Sequence, residues 1–269
     1  MNAFSHLRVS SEYSISQGLL TINQIVDNAS KKSIPSVALT DKSNMFGLVK
    51  FFDKCELAGI KPISGCSLNV IFDGDDDSHE LLCLAKTNNG HKNLMKIISS
   101  AHNNYSYSSP IIQFKDLTEL NDDIVVISGG KNSHIFEYLR RNNRADAENK
   151  IDQFTKYFKD DFVLEIQKTN REDELEFIKN ILPLSIKKGI PIVATNDVLF
   201  STQNDYEIHE TKVCINTGRT LNDPNREKSF SDQQYFKSSE EMIDLFEESS
   251  TFIDNTNEIS KKCNVSLKT

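Results

Sequence analysis

The 269-residue chain lacks the features that mark several classes of protein. No segment approaches the ~18 consecutive apolar residues that a membrane-spanning helix needs, and the N-terminus carries no charged-then-apolar signal. Its five cysteines are scattered without a C-x-x-C spacing, which favours a reducing compartment over a disulfide framework or a zinc knuckle. We therefore expect a cytoplasmic protein with no membrane partner.

Local motifs for catalysis are also scarce. The six histidines never form an H-x-H or H-x-x-x-H pair that could share a metal ion. There is no G-x-S-x-G elbow and no glycine-rich phosphate loop with the required spacing. The formal charge of −8 means that the surface as a whole repels phosphate backbones. A DNA-binding role is therefore expected to be either local or supplied by a partner.

What the chain does have is an alternation of short apolar strands with segments of helical periodicity, which is typical of an α/β layer or barrel with largely parallel strands. The sequence predicts an antiparallel hairpin where two strands follow each other closely, at Pro62–Phe72 and Leu81–Ala85. The seven predicted strands are Leu7–Ser10, Ser36–Thr40, Pro62–Phe72, Leu81–Ala85, Ile124–Ser128, Phe162–Ile166 and Ile190–Thr195.

Linker-like composition is absent, so we expect one domain with an extension packed on it. The predicted barrel covers residues 1–200, and the predicted extension of helices and loops covers residues 201–269. Helix starts are signalled by Thr21 and by Ser238, where Glu241 completes the spacing of a capping box.

Two stretches nearly repeat each other, residues 31–41 and residues 187–197, with seven of eleven positions identical. Each contains lysines, an Ile-Pro step, a short apolar strand and a terminal aspartate, which is Asp41 in the first and Asp197 in the second. Carboxylates at the C-terminal ends of buried strands are where α/β folds place their chemistry. Both aspartates are therefore candidate site residues, or else caps for the turns that follow them.

A series of segments in fixed order resembles a known family over the whole chain. It includes Val37-Ala-Leu-Thr-Asp-Lys-Ser-Asn-Met-Phe-Gly47 and Ala58-Gly-Ile-Lys-Pro-Ile-Ser-Gly-Cys66, together with residues 4–18, 194–197, 218–226, 234–242 and 263–267. The series is similar to the PHP (polymerase and histidinol phosphatase) domains at the N-terminus of bacterial DNA polymerase III alpha subunits. The resemblance implies a distorted seven-stranded β/α barrel of TIM-like architecture with a helical C-terminal extension.

Metal-dependent members of this family hold a metal cluster in a ring of His, Asp, Glu and Cys ligands, and the cluster hydrolyses phosphoesters. Only Asp197 keeps a ligand type at its expected place in this sequence, so it is the best candidate if any metal binds. His79 leaves the register at Glu80 open. The resemblance assigns the vestigial ligand positions to Arg8, Ser10, Gln17, Lys42, Ser67, Glu80, Gly130, Asp197 and Leu199.

Two of these positions carry cations, Arg8 and Lys42, which are protonated donors and cannot ligate a metal. We hypothesise that they replace the metal in an ion network with Asp41, Glu80 and Asp197.

The resemblance then implies a catalytically inactive, metal-free scaffold that stabilises the polymerase alpha subunit within the holoenzyme and docks epsilon, the proofreading exonuclease subunit. No catalytic residue and no cofactor are expected. Two alternatives stay open: an active PHP phosphoesterase or 3′–5′ exonuclease that uses manganese or zinc, and a freestanding barrel that binds a small molecule.

Overall fold

The computed structural model describes residues 3–75, 77–103 and 110–267. None of the helices in these ranges is long and apolar enough to cross a membrane. The strands of the described chain are β1 (Ser36–Leu39), β2 (Lys61–Ile71), β3 (Ser78–Ala85), β4 (Ile112–Gln113), β5 (Ile124–Ile127), β6 (Phe162–Gln167) and β7 (Ile192–Thr195). The helices are α1 (Ile22–Lys31), α2 (Leu48–Leu57), α3 (Asn88–Asn103), α4 (Phe114–Glu119), α5 (His134–Arg140), α6 (Arg144–Phe158), α7 (Glu174–Lys188), α8 (Tyr206–Thr217), α9 (Ser239–Leu245) and α10 (Thr251–Lys262).

The strands form one curled sheet in the order β1-β2-β3-β5-β6-β7, with the short β4 on β2. The pairs β1–β2, β5–β6 and β6–β7 are parallel, whereas β3 runs antiparallel to both of its neighbours. The predicted α/β barrel-like fold and the predicted antiparallel hairpin of β2 and β3 are therefore confirmed. Because β3 is reversed, its N-terminal end lies at the same edge of the sheet as the C-terminal ends of the parallel strands.

The predicted first strand, Leu7–Ser10, is wrong as a strand. In the described structure only isolated bridges form here: His6, just before the segment, bridges to Val37 of β1, and Val9 bridges to Val198 beyond β7. Because the segment lies between two edges of a curled sheet, it contacts each edge over too few residues to form a continuous series of strand hydrogen bonds. It nonetheless closes the open side of the sheet, and the seventh strand of the described sheet is β4 instead.

Helix starts follow the local chemistry of the sequence. The Thr21 side chain accepts from the Gln24 backbone, and the Gln24 side chain accepts in return from the Thr21 backbone. The same reciprocal arrangement of Ser238 and Glu241 begins α9. Both predicted caps are confirmed, and each satisfies backbone N–H groups that have no partner within the helix.

The interior of the barrel is filled from its sheet and from the C-terminal helix. Alternate residues of the strands, such as Leu82 and Leu84 of β3, meet in one buried cluster, and Ile259 and Cys263 enter this cluster from the region of α10. Ile259 is 4% exposed. The C-terminal region therefore contributes side chains to the barrel core.

Substitution of Ile259 by alanine is expected to lower the free energy of unfolding by about 2–5 kcal/mol, because it leaves a cavity inside the barrel. Urea unfolding measures this loss, provided that the free energy of unfolding depends on urea concentration with the same slope in both proteins. The control is Lys261→Ala on the same helix, which removes only an exposed pair with Glu258 and is expected to cost less than about 1 kcal/mol. An Ile259→Ala variant as stable as the control would mean that α10 is dispensable to the barrel.

Candidate functional site

Polar side chains gather at one end of the barrel, where the parallel strands finish and β3 begins. Residues of one face of a strand alternate with those of the other, so the buried Val163 of β6 is followed on the same face by Glu165 and Gln167. The register of β6 and β7 aligns Gln167 with Thr195. An apolar barrel interior thus changes into a polar layer at this edge.

Arg8 occupies the centre of this layer. Its Nε and one terminal nitrogen donate to the two oxygens of Glu165, each at 2.8 Å, and its other terminal nitrogen donates to Glu80. Arg8 and Glu80 are each 5% exposed, and Glu165 is fully buried. The guanidinium therefore forms a two-pronged bond to one carboxylate and a further bond to a second, a geometry that lysine cannot reproduce.

Neighbouring charges determine the protonation states of Arg8 and Glu80. Burial by itself would lower the pKa of Arg8, but the carboxylates of Glu165 and Glu80 outweigh burial and hold its pKa above the usual value. Burial would likewise raise the pKa of Glu80, yet Arg8 and then Lys42 lower it overall. Both partners are therefore charged near neutral pH.

A second cation, Arg171, lies beside the first network. It donates to Asp197 at 3.2 Å, to Glu174 at 3.0 Å and to the side-chain oxygen of Gln167. Asp197 also accepts from Gln234 at 2.7 Å. Burial raises the pKa of Asp197, and Arg171 and then Arg8 oppose that rise.

Asp41 has a different environment from the one expected. Its carboxylate accepts from the backbone and hydroxyl of Ser11, both at 2.7 Å, and from the hydroxyl of Ser14 at 2.6 Å. Burial raises the pKa of Asp41, and the hydrogen bonds of Ser14 and Ser11 oppose the rise. Asp41 thus fixes the loop after Val9 rather than pairing with a cation.

The remaining residues singled out in the sequence are spread around this layer. Lys42 pairs with Ser67 in a backbone bridge, and within the described ranges its ammonium forms no ion pair within 4 Å. Ser10 is buried and donates its N–H to Val198 at 2.9 Å. Leu199 is fully buried, and Gln17 lines a separate cavity beside the end of α8.

The chain after β5 approaches the layer too closely for side chains. Gly129 has φ +95°, and a Cβ there would lie 1.8 Å from the Glu80 carbonyl oxygen. Gly130 has φ +58°, and a Cβ there would lie 2.8 Å from the Gln167 carboxamide. The glycines are required by the positive φ and by these contacts, so Gln167 fills the space that a ligand side chain at position 130 would need.

Sequence reasoning missed Glu165, Gln167 and Arg171. A signal for the first existed, since Glu165 interrupts the apolar run Phe162–Ile166 on the face that continues to Gln167. A carboxylate in a buried strand needs a partner. Arg171 follows β6 in an irregular segment, where no periodic pattern indicates the direction of its side chain.

The donor set does not suit a metal cluster. The oxygens of Glu165 and one oxygen of Glu80 accept from Arg8, and Asp197 accepts from Arg171 and Gln234. Across residues 3–75, 77–103 and 110–267, no group of three or more His, Cys, Asp or Glu side chains is arranged to hold a metal ion. A guanidinium offers donors only and cannot ligate a cation.

Comparison with known proteins agrees with the observed fold and also identifies relatives of this chain. The chain is 40% identical over 268 residues to DNA polymerase III subunit alpha of Escherichia coli K12, covering 98% of this chain and 23% of that protein. It is also 40% identical to the subunit of the same name from Pseudomonas fluorescens, covering 99% of this chain. The chain thus spans 23% of the length of these curated relatives.

Among solved structures, an amidohydrolase from Chromobacterium violaceum matches with a TM-score of 0.51 at 12% identity, covering 79% of this chain and 97% of that one. At this identity the match supports the fold alone. The model of the PHP domain family matches residues 6–169, more than half of the chain. The chain therefore belongs to the PHP domain family and matches the N-terminal region of DNA polymerase III alpha subunits.

Proposed function

We propose that this chain is the PHP region of a replicative DNA polymerase III alpha subunit and acts as a catalytically inactive scaffold. The observation that carries the proposal is the guanidinium of Arg8, which lies between the carboxylates of Glu80 and Glu165 at the strand ends. In this proposal Arg8 takes the place of the metal cluster, and the polar layer stabilises the barrel instead of performing chemistry.

The chemistry of a guanidinium supports this assignment. Metal-dependent phosphoester hydrolysis relies on bound cations that lower the pKa of a water molecule and neutralise the attacked phosphate. Arg8 has no acceptor atom and no site for a water ligand, and its donors are engaged by Glu165 and Glu80. Its positive charge satisfies the carboxylates without generating a nucleophile.

The scaffold would act through protein contacts. We propose that it stabilises the rest of the alpha subunit within the polymerase holoenzyme and docks the epsilon exonuclease in the cytoplasm, with DNA contacted only indirectly. The similarity to complete alpha subunits over 98% of this chain supports membership of that assembly. The net charge of −8 also favours protein partners over phosphate backbones.

Epsilon docking is tested with the chain immobilised and purified epsilon passed over it. Epsilon is expected to be retained, and retention is expected to survive a chelator because no metal participates. A surface carrying serum albumin at equal density is the control. Failure of epsilon to bind the folded chain would contradict the docking role.

The absence of catalysis is tested on 3′-terminal phosphodiester and phosphomonoester substrates with manganese or zinc added. No turnover above the blank is expected. Metal-dependent hydrolysis that disappears in Asp197→Ala would instead support the active phosphoesterase.

Replacement of Arg8 by methionine is expected to lower the free energy of unfolding by about 3–5 kcal/mol, because it leaves two buried carboxylates without a cation. Chemical unfolding measures this loss. The control is Arg140→Met, which removes an exposed pair with Glu137 and is expected to change the free energy of unfolding far less than Arg8→Met does. Equal small losses in both variants would show that Arg8 has no special structural role.

The cost of Arg8→Met is also expected to depend on pH. In the native chain the pKa of Glu80 is lowered, so its stabilising contribution is present above the unfolded pKa and is lost as pH falls through the folded pKa. Without Arg8, burial raises the pKa of Glu80, and the variant gains stability on acidification. The difference between the two proteins should therefore narrow from about pH 8 to about pH 4; a constant difference would contradict the ion pair.

A further inference from the structure

Two neighbouring cavities share a wall beside the end of α8. The first, of about 370 Å³, lies between the loop after Val9 and the start of α2. The second, of about 560 Å³, lies between the last turns of α8 and the loop that follows this helix. Both volumes fall within the range of about 300–1,000 Å³ that ligand sites occupy. Ser16 and Asn216 line both cavities, so these two residues form the ridge of one double cavity.

Each half of the double cavity has apolar side chains in its lining. Ile15 and Phe46 line the first half and are 77% and 70% exposed. Val213 and Phe230 line the second half and are partly buried. Large apolar side chains that lie together and face solvent mark sites where a folded domain contacts other molecules. Each half can therefore accept an apolar side chain of a ligand.

Carboxamide groups line every part of the double cavity. Asn69 lines the first half, Asn216 lies on the ridge, and Asn225 lines the second half. A carboxamide carries both donors and an acceptor, and a polypeptide backbone presents one donor and one acceptor at each residue other than proline. This lining therefore suits a backbone that passes over the ridge.

The charges around the double cavity are balanced by the chain itself. The lysine and the two arginines of the lining each have a carboxylate nearby: Arg219 has Asp223 at 3.0 Å, Arg226 has Glu210, and Lys42 has Glu80, with which it lines a further cavity. Glu227 adds a carboxylate to the second half. Single-stranded nucleic acid is bound along grooves with an excess of positive charge. A lining with balanced charge is instead complementary to an uncharged ligand.

We propose that the double cavity binds an extended, uncharged segment of a partner protein, with one apolar side chain in each half. Alternate residues of an extended chain point to the same side, about 7 Å apart, so the two apolar residues are separated by a single residue that crosses the ridge. Pockets for alternate side chains then provide specificity, and hydrogen bonds to the backbone provide affinity. The proposal rests on the scaffold role, since a scaffold acts through protein contacts, and it goes beyond epsilon docking.

The test is a titration of the full isotope-labelled chain, followed by nuclear magnetic resonance, with two capped pentapeptides of identical composition. The phenylalanines of acetyl-Ser-Phe-Thr-Phe-Ser-amide point to the same side of an extended chain, whereas those of acetyl-Ser-Phe-Phe-Thr-Ser-amide point to opposite sides. The first peptide is expected to shift the amide signals of Ser16 and Asn216 and to bind with a Kd at least about fivefold lower than that of the second.

Substitution of Asn216 by tryptophan is expected to raise the Kd of the first peptide at least about tenfold, because the indole occupies the ridge. The matched control is Asn204→Trp, at an exposed asparagine just before α8 that lines neither half. This control should leave the Kd unchanged within about twofold. Both asparagines are exposed, so unchanged thermal unfolding is expected and shows that the variants are folded.

The proposal is overturned if neither peptide binds, if both peptides bind equally, if Asn216→Trp binds the first peptide like the native chain, or if Asn204→Trp loses binding equally. Hexathymidylate is titrated in parallel. Tighter binding of this oligonucleotide than of the first peptide, lost in Asn216→Trp, would assign the double cavity to nucleic acid and would also overturn the proposal. Epsilon is absent from these titrations, so the peptide result and the retention of epsilon fail separately.

Discussion

The structure depends on the bonds between Arg8 and the carboxylates of Glu165 and Glu80. Arg8 belongs to the segment that closes the barrel, and its backbone carbonyl accepts from Val198 at 3.1 Å. The same residue therefore joins β1 to the chain beyond β7 through its segment, and joins β6 to β3 through its side chain. Burying these charges is costly unless all are paired. Closure of the barrel and compensation of the buried carboxylates therefore depend on the same residue.

The second cation extends this constraint to the C-terminal region. Gln167 donates to Glu165 at 3.1 Å and accepts from Arg171, so the two ion clusters form one hydrogen-bonded layer. Connected networks of this kind fix a unique arrangement more firmly than isolated pairs. Through Gln234 on Asp197 and Ile259 in the barrel interior, residues beyond 200 become part of the barrel.

Much of the fold could be predicted from sequence because its signals are local. Periodicity indicated six of the seven strands, and capping residues marked the start of α1 and α9. The segment Leu7–Ser10 was misread because its pairing is set by the closure of the barrel rather than by its own pattern.

The site was predicted less completely. The contact of Arg8 with Glu80 was expected. Asp41, in contrast, accepts hydrogen bonds from serines instead of pairing with a cation. Spacing along the chain does not show which donors lie nearest to a carboxylate in space.

The central claim is that a guanidinium occupies the position where related domains hold metal. Anomalous scattering from crystals of this chain soaked in manganese or zinc tests it most directly. The account predicts no ordered peak among Glu80, Glu165 and Asp197, with the bonds of Arg8 intact. A well-occupied peak within about 2.0–2.2 Å of an Asp197 or Glu80 oxygen, the distance of a carboxylate ligand, would contradict it.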